Sequence, residues 1–171
     1  MANHANISQK QEEQMILLAD SGSTKTDWIL LIDKRVTGSF RTQGLNPYYV
    51  QTDEVISILS EHLCQHIDAT TLKEVYFYGA GCSSEEKNRV IRDALDKLFP
   101  HSTNHVAHDM LAAARALFGD QPGIACILGT GSNSCVYNGQ EVIRSLFSLG
   151  YMFGDEGSGA HLGKSFIQKY L

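Results

Sequence analysis

Two glycine-rich turns, 109 residues apart, constrain this chain more than any other feature. Asp20-Ser21-Gly22-Ser23-Thr24 and Gly129-Thr130-Gly131-Ser132-Asn133 each follow a five-residue apolar run. Each carries a small hydroxyl residue, then Gly, then Ser, and leads straight into another strand-like segment. Identity between the two is low, but the surroundings repeat as well as the loops, which marks a duplicated unit. Backbone N–H groups in such turns form anion-binding concavities, and Gly lets the backbone come close to a ligand. Two facing hairpins therefore suggest two phosphate clamps. The competing reading is a pair of plain β-turns.

The segments around the first turn predict an α/β domain. Met15–Ala19, Asp27–Asp33 and Val36–Thr42 read as three strands with short connections, an antiparallel meander. GLNPYY at 44–49 is a Pro-fixed turn. Thr52 is expected to cap a helix whose buried stripe is Val55, Ile56, Leu59, Leu63 and Ile67. Lys73–Tyr78 is a strand closed by GAG, and Ser83 with Glu86 fits a capping box ahead of a second amphipathic helix. Asn104–His108 is a short strand, and Met110–Phe118 an Ala/Leu-rich helix. The order is βββαβαβα. GDQPG at 119–123 is the expected boundary, beyond which the pattern restarts with Ile124–Leu128, Cys135–Tyr137 and Glu141–Leu146. Gly150–Gly159 reads as a glycine-rich loop and Ala160–Leu171 as a helix. The expected domains are thus a polar, disordered leader at 1–14, a first domain at 15–119, and an incomplete start of a second at 120–171. The first copy takes roughly a hundred residues, but only 49 run from Gly123 to Leu171, so half of a second copy is missing.

Composition excludes several classes. With 43% hydrophobic and 19% charged residues, the 171-residue chain can bury a core. A net charge of −5 argues against a nucleic-acid partner, whose phosphates need a basic face. No apolar run nears the ~18 residues a membrane helix needs, and the start has no signal-peptide pattern. Four cysteines, Cys64, Cys82, Cys126 and Cys135, form no CxxC pair and read as reduced thiols of a cytoplasmic protein.

DSGSTKTDW, GLNPYY, HVAHDM, GTGSNS and GYMFGDEGSG occur in this order over residues 15–165. Together they resemble the N-acetylglucosamine kinase-like branch of the BadF/BadG/BcrA/BcrD ATPase family, within the superfamily of sugar kinases, actin and chaperone ATPases. The resemblance implies a ribonuclease-H-like, actin-like ATPase fold. It implies ATP and Mg²⁺ as cofactors, an amino sugar as substrate, and a homodimer in the full-length form. Asp20 would face the magnesium ion through water. Gly22, Ser23, Thr24 and Lys25 would form the first phosphate hairpin, and Thr130, Gly131, Ser132 and Asn133 the second. Asn46 would hold sugar hydroxyls, Gly150 and Tyr151 would lie beside the sugar, and Asp155 would accept a sugar hydroxyl. Asp109 would be the catalytic base. Members are longer than this chain, and the adenosine-holding segment lies in the half it lacks. Tyr151 stands where kinases of this branch often have Trp, which bears on the choice of sugar.

Phosphoryl transfer asks a protein mainly for positioning and charge neutralisation, plus a carboxylate to take the hydroxyl proton. Asp109, at a strand end and a helix start, suits that base equally with a simple helix cap. Three decoys fall away. GSGAHLGKS at 157–165 has Ser158 where a Walker loop needs Gly. His101, His105 and His108 alternate along a strand without a partner Cys. Cys82 reads as a plain buried or loop thiol. Three functions compete: an amino-sugar kinase, an activator ATPase serving an iron–sulfur cluster, and a non-catalytic sensing fragment. The second needs a cluster cysteine, and GDEGSGAH has none. With the later half of a second copy missing, residues after about Gly123 are expected to be loosely packed or propped by a neighbouring chain.

Overall fold

The computed structural model describes residues 14–146 and 149–171. Residues 1–13 of the expected leader lie outside the described residues. The strands β1 (Met15–Ser21), β2 (Lys25–Ile32) and β3 (Arg35–Gln43) form the expected meander. Then follow α1 (Thr52–His62), β4 (Leu72–Gly79), α2 (Glu85–Leu98), β5 (Thr103–His108) and α3 (Asp109–Phe118). A second meander comprises β6 (Gly123–Leu128), β7 (Ser132–Tyr137) and β8 (Val142–Ser145), and α4 (Gly150–Phe153) and α5 (Gly159–Tyr170) complete the chain.

The first sheet has the order β3-β2-β1-β4-β5. β1 pairs antiparallel with β2 and parallel with β4, and β4 pairs parallel with β5. The register sets Ser21 beside Gly79 and Gly79 beside His108, so the chain leaves β1, β4 and β5 along one edge of the sheet. Crevices at the carboxyl ends of parallel strands, where the strand order reverses, are where open α/β sheets bind ligands. A large core backs this edge: Leu17, Trp28, Phe77, Leu59, Ile91 and Leu95 are fully buried in it, with the Trp28 and Phe77 rings 5.9 Å apart.

The second sheet, β6-β7-β8, is antiparallel throughout. Its core is small: Met110 and Ala114 of α3 against Ala125, Cys135 and Tyr137. α3 therefore lies mainly against β6 and β7, although it follows directly from β5 of the first sheet.

Three local expectations need correction. Gln51, not Thr52, is the N-cap of α1, and the Thr52 hydroxyl instead donates to the Val90 carbonyl at 3.0 Å, tying α1 to α2. The α2 cap is Ser84, accepting from the Lys87 amide, while Ser83 meets the Tyr48 hydroxyl at 3.1 Å. The 150–159 segment opens with a helical turn, α4, before it becomes loop. At α2 the neighbouring serine offered the same cap chemistry one position away, whereas Gln51 caps α1 with no side-chain bond. Among the described residues no helix is long and apolar enough to cross a membrane.

Candidate active site

Asp20 and Asp109 end β1 and begin α3 at the same edge of the first sheet. Asp20 is exposed at its edge, yet desolvation by the surrounding chain, followed by the charges of Asp109 and Asp27, pushes its pKa above the usual carboxylate value. Two carboxylates close enough to raise each other's charge cost suit a divalent cation, whose charge would relieve that repulsion. Among the described residues no three His, Cys, Asp or Glu side chains gather into a protein cage. A hydrated ion held by a carboxylate and by ligand oxygens fits this donor set better than an all-protein site.

Asp109 does not cap its helix. That role falls to His108, whose Nδ1 accepts from the Met110 amide at 3.2 Å. His108 Nδ1 also lies 2.6 Å from Asp109 Oδ1. At that distance the ring nitrogen and the carboxylate oxygen form an ion pair when the ring is protonated. Asp109 Oδ1 is buried, with no hydrogen-bond donor beyond the His108 ring beside it. A buried carboxylate oxygen with a single such neighbour has lone pairs left to accept from a donor outside the chain.

The first hairpin is held from below by hydroxyls. Ser21 Oγ and Thr26 Oγ1 are 2.7 Å apart, Thr26 donates to the Gln43 carbonyl, and the Leu45 amide donates to Ser21 Oγ at 3.1 Å. Within the turn, Gly22 N bonds to Lys25 O at 2.9 Å, and Gly44 N bonds to Thr24 O. A Cβ on Gly44 would fall 2.5 Å from Gly22 O and from Ser23 C and O, so the backbones touch there and only Gly fits. Lys25 Nζ bonds to Asp27 Oδ2 at 2.6 Å, and Arg41 binds the other oxygen; both hold the Asp27 carboxyl below its ordinary range.

Asn46 is nearly buried beside the 79–82 loop. Its Oδ1 accepts from the Tyr48 amide at 3.0 Å, and a Cβ on Gly81 (φ +84°) would strike that oxygen. Cys82, next in the loop, has its thiol pushed up to about 12, first by burial and then by the charge of Asp109. Asn46, the 79–82 loop, Asp109 and Asp20 therefore share one end of the first sheet.

The other site candidates cluster on the second sheet. Gly129 N bonds to Gly131 O within the turn, and Asn133 Oδ1 accepts from the Ser134 amide. The first amides of α5 reach back to this hairpin, Gly159 N to Gly129 O at 2.9 Å and Ala160 N to Thr130 O at 3.2 Å. Asp155 accepts from the Ser132 amide at 3.0 Å. Gly150 and Tyr151 open α4, where the Tyr151 side chain is exposed and its carbonyl accepts from Lys164 Nζ. Sequence reasoning missed three supports of the first group: Ser21 with Thr26, Gly44, and His108. Gly44 was quoted only as part of a turn, and His108 only as a failed metal ligand.

No family model and no curated protein matches the chain. Solved structures do match it. The "putative N-acetylglucosamine kinase" of Porphyromonas gingivalis is 49% identical with a TM-score of 0.86, over 91% of this chain and 56% of its own. The protein of the same description from Chromobacterium violaceum is 23% identical with a TM-score of 0.58, again over 91% and 56%. MreB5 of Spiroplasma citri, solved with AMPPNP bound, is 10% identical with a TM-score of 0.59, over 92% and 56%. This chain thus spans a little over half the length of each. The fold is ribonuclease-H-like, that of the actin-like ATPases.

Proposed function

We propose that this chain supplies the N-terminal part of an ATP-dependent kinase for an amino sugar, of the N-acetylglucosamine kinase-like branch of the BadF/BadG/BcrA/BcrD family. One observation carries the reading: the Asp109 carboxylate oxygen is buried beside the His108 ring at the carboxyl end of the parallel strands. A general base before its substrate arrives has that character. The 49% identity to the Porphyromonas gingivalis protein supports the choice of sugar kinase over other actin-like ATPases. The AMPPNP on MreB5, a protein of the same fold, supports ATP as the nucleotide.

In this reading Asp109 accepts the proton of the attacking sugar hydroxyl, and burial keeps water from competing for the same oxygen. His108 fixes the start of α3 and with it the carboxylate's place. Asp20 holds hydrated Mg²⁺, which when bound with ATP neutralises the phosphate charge. Backbone amides of residues 22–25 and 130–133 grip the phosphates. Asn46, stiffened by its bond to the Tyr48 amide, lines the sugar's side of the crevice, with Gly150 and Tyr151 of α4. The protein is expected to act in the cytoplasm and, in a full-length form, as a homodimer. Calorimetry of the chain with Mg²⁺-ATP and with N-acetylglucosamine tests this. Saturable binding of both is expected; failure to bind either rejects the reading.

A further inference from the structure

The Asp155 carboxylate lies against the second glycine hairpin. Its Oδ1 accepts from the Ser132 amide at 3.0 Å. A Cβ built on Gly131 would lie 3.0 Å from Oδ1 and 3.2 Å from both Cγ and Oδ2, so the whole group lies flat over the turn's glycine. Asp155 reaches this position from a φ of +62°, a conformation that side-chain-bearing residues adopt at a cost. The strain is held by a frame: Ser158 N bonds to the Asp155 carbonyl at 3.0 Å, and Gly159 N and Ala160 N bond to the hairpin itself. A negative group thus sits on a backbone amide of a turn that the sequence singles out as a phosphate clamp.

We propose that Asp155 is an internal stand-in for phosphate: its carboxylate fills the anion cradle of the second hairpin until a nucleotide phosphate displaces it. The proposal rests on the reading of 130–133 as a phosphate hairpin. A carboxylate and a phosphate oxygen compete for the same amide, and their like charges oppose joint occupancy. Nucleotide binding therefore includes the release of Asp155, and this residue sets the nucleotide affinity without belonging to the nucleotide's own contacts. The cradle stays filled, and the hairpin stays shaped, while no nucleotide is present.

The test is calorimetry of the full chain and its Asp155→Ala and Asp155→Asn variants, each with Mg²⁺-ATP and with inorganic tripolyphosphate, no sugar being added. Asp155→Ala is expected to bind both about tenfold more tightly, the scale of one charge-assisted hydrogen bond. Asp155→Asn keeps an acceptor but loses the charge, so its gain is expected to be smaller. A merely structural role for Asp155 would loosen the hairpin and weaken binding in both variants. Should Asp155→Ala melt early, Asp155→Asn decides: tighter binding supports the stand-in, and unchanged or weaker binding overturns it. Equal binding by all three proteins overturns the stand-in and leaves the kinase reading standing. No binding by any of them overturns both.

Discussion

The two glycine hairpins have similar sequences and unlike foundations. The first rests on the buried Ser21–Thr26 pair, is closed by the tight approach of Gly44, and is backed by the core around Trp28 and Phe77. The second has open space around Gly129, a five-residue core behind it, and an outer sheet face where Ile124, Leu128 and Ile143 are 67%, 69% and 59% exposed. Among the described residues most of the exposed large apolar side chains lie beyond Gly123. Similar turn chemistry therefore yields a turn braced by its own core in one place and a turn shaped by contacts with Asp155 and α5 in the other. Rigidity comes from what packs behind a turn rather than from the turn itself.

The comparison predicts unequal costs of mutation. Phe77→Ala should cost about 3–5 kcal/mol in denaturant unfolding, because it opens a cavity in a full core. Ile143→Ala, on the bare face, should stay within about 0.5 kcal/mol. Comparable losses would show that the second sheet is covered in solution. The cysteines sharpen the contrast. Exposed Cys126 should react with a thiol reagent at pH 8 more than about a hundredfold faster than Cys82, which is buried and held as the thiol. Equal rates would mean that the first core opens as readily as the second.

Smaller effects concern the turns. Gly44→Ala should destabilise by about 1–3 kcal/mol, since the new methyl meets backbone that cannot move aside, and Gly129→Ala by well under 1 kcal/mol. Thermal melts of the two variants would read the difference directly. The smallest effect is electrostatic. The folded-state pKa of Asp20 is raised, so its favourable contribution is present below the unfolded value and is lost as pH rises through the folded one. Asp20→Asn should therefore raise Tm by about 2 °C at pH 7 without ligand, with the gain vanishing below about pH 4. Asp27, whose pKa is lowered by Lys25 and Arg41, should show the opposite sign.

Much of the first region was legible in the sequence because its strands and helices carry strong periodicity and each is bounded by turn residues. β4 and β5 fell within one residue of the expected ranges, and the order βββαβαβα holds. Ser83 was misplaced as a cap because the adjacent Ser84 competes for the same role, and Thr52 because its hydroxyl is drawn instead to the distant Val90 carbonyl. The allegiance of α3 was hidden as well. Its Ala-rich face fits either sheet, and only the closeness of β6 and β7 shows which one it covers. At the site, Asp20 and Asp109 could be picked out by their places at strand ends. That His108 takes the cap and sets its ring 2.6 Å from Asp109 depends on side-chain geometry that no spacing encodes.

The central claim is that Asp109 waits as a base for a sugar hydroxyl. Transfer of labelled γ-phosphate from ATP to N-acetylglucosamine, measured for this chain and for Asp109→Asn alongside sugar binding, tests it most directly. The account predicts slow transfer by the unaltered chain and a fall of at least about a hundredfold in the variant, with sugar affinity kept within about tenfold, because the amide preserves the shape and cannot take the proton. Transfer undiminished in Asp109→Asn would contradict it.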